Sequence, residues 1–317
     1  MNKSTLYRVT YMLIACMTML MTLSCEYKDL EAQGTEGEVV PVRLAFDWSN
    51  VDSIPTRMQV MFYRGDTGSY QRFDVGNDTT TVYIAPGEYN ITTWNNDATH
   101  VYFEGYGSRK NLSSKTPEFN PQNSPGLKNI IDSIFSGQQV LDYPDYMAHA
   151  NSEGIVVQRN TPQDIILKAD SMVVTVDLNI GGVAGLEIVK QVKGAISNVA
   201  GRRFMAYDNK VTDPATVLFE ARAHPADSTI TARFWVFGLE PEELMDGEHK
   251  AALFFWTTKG KLFIDMDITD IIRDNDGGSF LNIRFLDLNI DIKELLPKSG
   301  LDVDIDEWND DNKHIGF

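Results

Sequence analysis

Few residues of this chain have the type and spacing that chemistry requires, and the most informative of them is a cysteine. Only Cys16 and Cys25 occur among the 317 residues. Cys25 follows Thr22-Leu23-Ser24 and precedes Glu26, so a small residue stands just before a thiol that closes an apolar run. That arrangement suits acylation of the thiol, with the peptide cut on its N-terminal side. The plainer alternative is an ordinary thiol just past a conventional cleavage site. If residues 1–24 are removed, Cys16 leaves with them and Cys25 becomes the first residue and sole cysteine. No intramolecular disulfide is then available, and an acylated sulfur is no nucleophile.

Other chemistry is hard to assemble. No nucleophile elbow, zinc-binding helix or phosphate-cradling glycine loop is present. His100, His149, His224, His249 and His314 are scattered without metal-ligand spacing. Acids are abundant, yet a glycosidase pair draws its carboxylates from different strands and leaves no local motif, so a hydrolase is only the third reading. Asp274-Asn275-Asp276-Gly277-Gly278 begins like a calcium loop, but the twelfth position is Phe285 instead of Glu; the series Asp302, Asp304, Asp306 has Glu307 where the loop glycine belongs. A hairpin turn and a solvated strand face explain both better, and no cofactor is expected. Trp48, Trp94, Trp235 and Trp256 lie in strand patterns where large rings fill cores, while Trp308 stands among acids near the chain end. Asp-Ser-Ile at 52–54 and 132–134 and Asp-Ser-Met at 170–172 offer Ser53, Ser133 and Ser171 as O-glycosylation candidates, by likeness to the tripeptide signal of exported Bacteroidetes proteins. Ser171 would need to be exposed.

The elements around these residues set the organisation. Lys3 and Arg8 precede an uncharged run, Val9 to Leu23, that is too short to span a bilayer and reads as a signal peptide over 1–24. Its removal takes the net charge from −17 to −19, a surface that repels nucleic acid and anionic lipid. Residues 25–37 are a polar linker; Glu26, Asp29 and Glu31 within it serve as a solvated tether or as a surface-export signal. Val40, Val42, Leu44, Phe46 and Trp48 then alternate with polar or small residues, the period of a half-buried strand. Short strands follow at 58–63, 70–75, 79–84 and 88–94, punctuated by turn residues. Leu127, Ile130, Ile131, Ile134 and Phe135 mark one helix face, for packing or for a partner. Val174, Val176, Leu178 and Ile180 open a second set of strands, including a long one at 281–292, and Leu301, Val303 and Ile305 alternate at the end. The expected fold is all-β, with two tandem antiparallel sandwiches over 38–160 and 161–317.

Taken in order, the cysteine signal, CEYKDL, VRLAFDWS, GEYNITTWNND, ISNVAGRRF, RFWVFGLEP and DIDEWND resemble a Bacteroidales lipoprotein family related to fimbrial anchor and assembly proteins. Thr22 stands where such lipoproteins more often have Leu. The resemblance implies transthyretin-like, Greek-key sandwiches held at the outer membrane by acyl chains such as palmitate on Cys25. It implies a non-enzymatic role in cell adhesion as anchor or component of a fimbrium, facing the cell surface. The last strand, with Leu301, Val303, Ile305 and Trp308, then completes its own sheet or pairs with a fimbrial subunit. A surface glycan-binding lipoprotein, with aromatic rings as a platform for polysaccharide, is the alternative.

Overall fold

The computed structural model describes residues 38–120, 131, 135, 137–207, 210–241, 247–275 and 278–296. The first sandwich is built from β1 (Val40–Asn50), β2 (Arg57–Tyr63), β3 (Tyr70–Gly76), β4 (Thr80–Ile84) and β5 (Gly87–Asn95). After the short strands β6 (Tyr102–Glu104), β7 (Ser113–Lys115) and β8 (Gln139–Asp142), it is completed by β9 (Ala148–Val157) and β10 (Gln163–Ser171). These seven strands run in the order β3-β2-β5-β9-β10-β1-β4. Laid flat, the end strands β3 and β4 would be about 29 Å apart at ~4.8 Å per strand. They are joined by only Asn77, Asp78 and Thr79, a link that reaches at most about 14 Å. The sheet must therefore curl until its ends approach. Inside the curl lie Val42, Leu44, Val60, Phe62, Ile84 and Ile91, all fully buried. The alternation of β1 holds through Leu44; beyond it the register against β10 shifts between Asp47 and Asn50, and Phe46 and Trp48 are half-buried, stacked at 5.0 Å.

The second half forms β11 (Val174–Ile180), β12 (Val183–Ala184), β13 (Val189–Phe204), β14 (Val211–His224), β15 (Thr229–Val236), β16 (Lys250–Thr257), β17 (Lys261–Asp267), β18 (Phe280–Phe285) and β19 (Ile290–Asp291). Its main path is β17-β16-β13-β14-β15-β11-β18, with β7 and its partner β6 attached to β13 and β8 attached to β14. The long β14 is the corner: Val211 to Ala221 pair with β13, whereas Arg222 to His224 pair with β15. The sheet folds there into two layers, and Val192, Phe219, Leu253 and Ile264 of one layer meet Val176, Leu178, Phe234 and Ile283 of the other. Where the layers meet, the Phe219 ring lies on Phe234, 4.0 Å away and nearly parallel. Gly194 makes room for it, because a Cβ there would fall 2.1 Å from the ring. Gly194→Ala should cost about 1–3 kcal/mol by overpacking, read as a lower denaturation midpoint, and Phe219→Leu in the same chain should recover part of it. An unchanged midpoint would contradict this packing.

A third apolar cluster joins the two sandwiches. Met61, Tyr63 and Trp94 on the outer face of the first meet Met205, Val211 and Phe237 of the second, with Leu112 between. The segment that carries Leu112 is fastened on both sides. Arg109, 4% exposed, donates from Nε to Thr92 Oγ1 at 3.2 Å and sets Nη1 2.7 Å from Glu153, while β7 pairs with the end of β13. An apolar junction of this kind holds two sandwiches as one body, where a small polar interface would let them swing.

The all-β sandwich architecture expected from the sequence is present, with differences of pairing. Not every pair is antiparallel: β1 runs parallel to β10, β11 to β18, β8 to β14 and β12 to β19. The sheets also exchange strands across residue 160, since β10 lies in the first sheet while β6, β7 and β8 join the second. The long strand expected at 281–292 is β18, then β19, then a helical turn at Ile292–Leu295. Of the expected helix stripe, Leu127, Ile130 and Ile134 lie outside the described residues. Ile131 and Phe135 are buried against Leu218 and Phe254, and the Phe135 N–H donates to the Ile131 carbonyl at 2.7 Å, as one turn of helix requires.

Candidate functional site

The sequence candidates fall into two groups. Cys25, Ser133, Leu301, Val303, Ile305 and Trp308 lie outside the described residues. Ser53 is exposed in the turn after β1, where the neighbouring Asp52 N–H donates to the Tyr146 hydroxyl at 3.0 Å. Ser171 is half-buried and its hydroxyl donates to the Val173 carbonyl at 2.9 Å, so a sugar there would have to break the turn between β10 and β11.

The tryptophans that could stack on sugar are mostly packed. Trp94 is fully buried, Trp235 packs edge-on against Tyr146 at 6.1 Å, and Trp256 lies against the cluster containing Phe254. The exposed rings Tyr83, Tyr102 and Phe280 sit on β4, β6 and β18, and exposed Tyr207 follows β13. Histidines are likewise dispersed. His100 Nδ1 is 3.3 Å from Asp145, His224 Nε2 is 2.8 Å from Thr231 Oγ1, and burial holds the His249 imidazole below its ordinary value. Among the described residues, no three histidines, cysteines or acids gather where a metal could be held.

What the second sandwich does present is strand edge and polar sheet face. Among the described residues β17 pairs only with β16, and β18 only with β11. β18 therefore offers one side whose N–H and C=O groups have no strand partner among the described residues. Phe280 at the start of β18 and Leu286 just after it are both exposed. The described chain ends at Leu296, which is buried next to Gly260 in the turn that leads into β17.

The face of β14, β15, β11 and β18 away from the core is a shallow groove of about 610 Å³ lined by Asp177, Asn179, Arg222, Arg233, Asn282 and Arg284, among others. Sequence reasoning missed it. Its only local trace is the polar half of two alternating runs, VTVDLNI and FLNIRF, which carry Asp, Asn and Arg between core residues.

No curated protein matches the sequence. Among solved structures, one described as a candidate adhesin from Bacteroides ovatus superposes with a TM-score of 0.63 at 19% identity, covering 83% of this chain and 94% of that one. The fimbrial anchor protein Mfa2 from Porphyromonas gingivalis aligns more loosely, with a TM-score of 0.46 at 16% identity over 78% of this chain and 90% of its own. A candidate polysaccharide-binding protein from Bacteroides thetaiotaomicron gives 0.48 at 12% identity, over 79% and 92%. The Bacteroides ovatus structure shares the fold. The family described as "Domain of unknown function (DUF5119)" matches residues 24–220, more than half of the chain, and the chain belongs to that family.

Proposed function

We propose that the protein is a non-enzymatic surface lipoprotein that anchors, or forms part of, a fimbria-like adhesive structure. Lipid on Cys25 holds it at the outer membrane, residues 26–37 act as tether, and the joined sandwiches project from the surface. Ser53, exposed as O-glycosylation requires, is better placed than the half-buried Ser171. The adhesin description of the Bacteroides ovatus structure agrees with this reading.

The observation that carries it is that the described chain ends at Leu296, beside the turn that leads into β17, an edge strand among the described residues. A strand carrying Leu301, Val303 and Ile305 on one face, with Trp308 beyond, leaves Leu296 within reach of that edge. Such a strand can add to a sheet of its own chain or to that of a fimbrial subunit, since main-chain hydrogen bonds supply the affinity in both cases. Deleting residues 299–317 separates the roles. A truncated chain that keeps its melting temperature but loses co-purification with a fimbrial subunit identifies the partner strand, while one that aggregates shows that the strand closed its own sandwich. A truncated chain that melts as before and still binds the subunit would overturn both.

A further inference from the structure

We propose that the polar face of β14, β15, β11 and β18 binds an acidic, uronate-bearing polysaccharide, with Arg222 and Arg284 taking its carboxylates. The inference goes beyond the fimbrial reading and does not depend on it. Strand periodicity builds the face: Val176, Leu178, Ile180, Ile230, Phe234, Leu281 and Ile283 point into the core, so the residues between them point out. Register then aligns the outward residues across four strands. Arg222 is opposite Thr231, Thr231 opposite Asn179, and Asn179 beside Arg284. The next row runs Arg233, Asp177, Asn282. Arg222 and Arg284 thus stand at the two ends of one row, about 14 Å apart at ~4.8 Å per strand.

The charges on this face are not all neutralised from within. Arg233 grips Asp177 through Nε and Nη2, each 2.5 Å from a carboxylate oxygen, and Glu220 is held by Lys193 at 2.9 Å. The Arg222 and Arg284 side chains are exposed and make neither ion pair nor hydrogen bond among the described residues. Two free guanidiniums facing one groove are notable on a chain of net charge −17, because its overall field works against anions. A guanidinium takes a carboxylate through two parallel hydrogen bonds. Between the arginines, the Asn179 and Asn282 carboxamides and the Thr231 hydroxyl both donate and accept, as successive sugar hydroxyls demand.

The same geometry argues against the other acidic polymer, a peptide. The groove lies on the face of the sheet, and apart from the outer edge of β18 the main-chain groups of its strands are committed to ladders, so a peptide lying across the face could not be held by backbone pairing. No tryptophan, tyrosine or phenylalanine ring lines it, which leaves a neutral sugar without a broad stacking surface and makes the carboxylates the recognised feature.

Calorimetric titration of the full mature chain with a defined oligogalacturonate tests this, with the matching neutral oligogalactose and poly-L-glutamate as comparisons. Oligogalacturonate should bind and oligogalactose should not. Arg222→Gln and Arg284→Gln should each weaken binding about tenfold with unchanged melting, because both side chains are exposed. Arg43→Gln, exposed on the first sandwich, should leave binding unchanged, and Asn179→Ala should weaken the uronate but not poly-L-glutamate. The proposal is overturned by no binding of oligogalacturonate, by an equal loss in Arg43→Gln, or by tighter binding of poly-L-glutamate, which would make the ligand an acidic peptide.

Discussion

Leu44→Asp should leave the first sandwich unable to fold, whereas Arg43→Gln, one residue earlier on the same strand, should melt like the parent. Leu44 is fully buried near the middle of β1, between Ile165 of β10 and Thr80 of β4. A carboxylate there would have no partner inside the curled sheet, and burying an unpaired polar or charged group costs at least several kcal/mol. That is comparable with the whole stability of a domain, roughly 5–15 kcal/mol. Arg43 points to solvent from the same backbone, so its replacement removes only surface charge. Because a shift of one residue exchanges the two faces of a strand, the pair tests register directly. Circular dichroism melts of the two variants decide it, and equal melting temperatures would show that β1 does not sit in this register.

Cys25→Ala should transfer the protein from the membrane fraction to the soluble fraction of the producing cell, with no change in melting. The chain has no other cysteine outside residues 1–24, and its net negative charge opposes adsorption to anionic headgroups, so acyl chains are the proposed hold on the bilayer. Two or more chains give stable attachment where one alone is marginal and reversible. Stability should be untouched because fourteen residues, Glu26 to Val39, separate the cysteine from β1. Fractionation in high salt, followed by immunoblotting, reads the result. A variant that still pellets with membranes would mean that something other than lipid on Cys25 holds the protein there.

Strands with one wet face were the legible part of this fold. β1, β11 and β15 announce themselves through alternation, and the turns at Arg64 to Ser69 and Thr258 to Gly260 through glycine and polar residues. The sixteen-residue β13 gave no such signal. Its sequence VKQVKGAISNVAGRRF is buried over most of its length, flanked by β14 and β16, so both faces demand small or apolar residues and no period of two survives. Its Gly194, which reads as a strand breaker, is the space that the Phe219 ring occupies. The short β6, β7 and β8 are held by pairing with longer strands and carry too few residues to show a pattern.

Sequence by itself determined the class of fold, the positions of most strands, and the one cysteine outside residues 1–24, on which the proposed lipid anchor depends, because side-chain alternation, turn chemistry and residue counts are local properties. Tertiary structure alone decided which strands are neighbours. β1 finds β10 more than a hundred residues later and runs parallel to it, and β11 does the same with β18. The curl of the first sheet, the outer places of β17 and β18 in the described strand order, and the row from Arg222 to Arg284 all follow from those long-range pairings. Backbone hydrogen bonds between strands are the same for every residue type, so they leave no mark on the sequence. Register is chosen by the burial of whole faces across the assembled sheet, and only then do four separate polar positions become one surface.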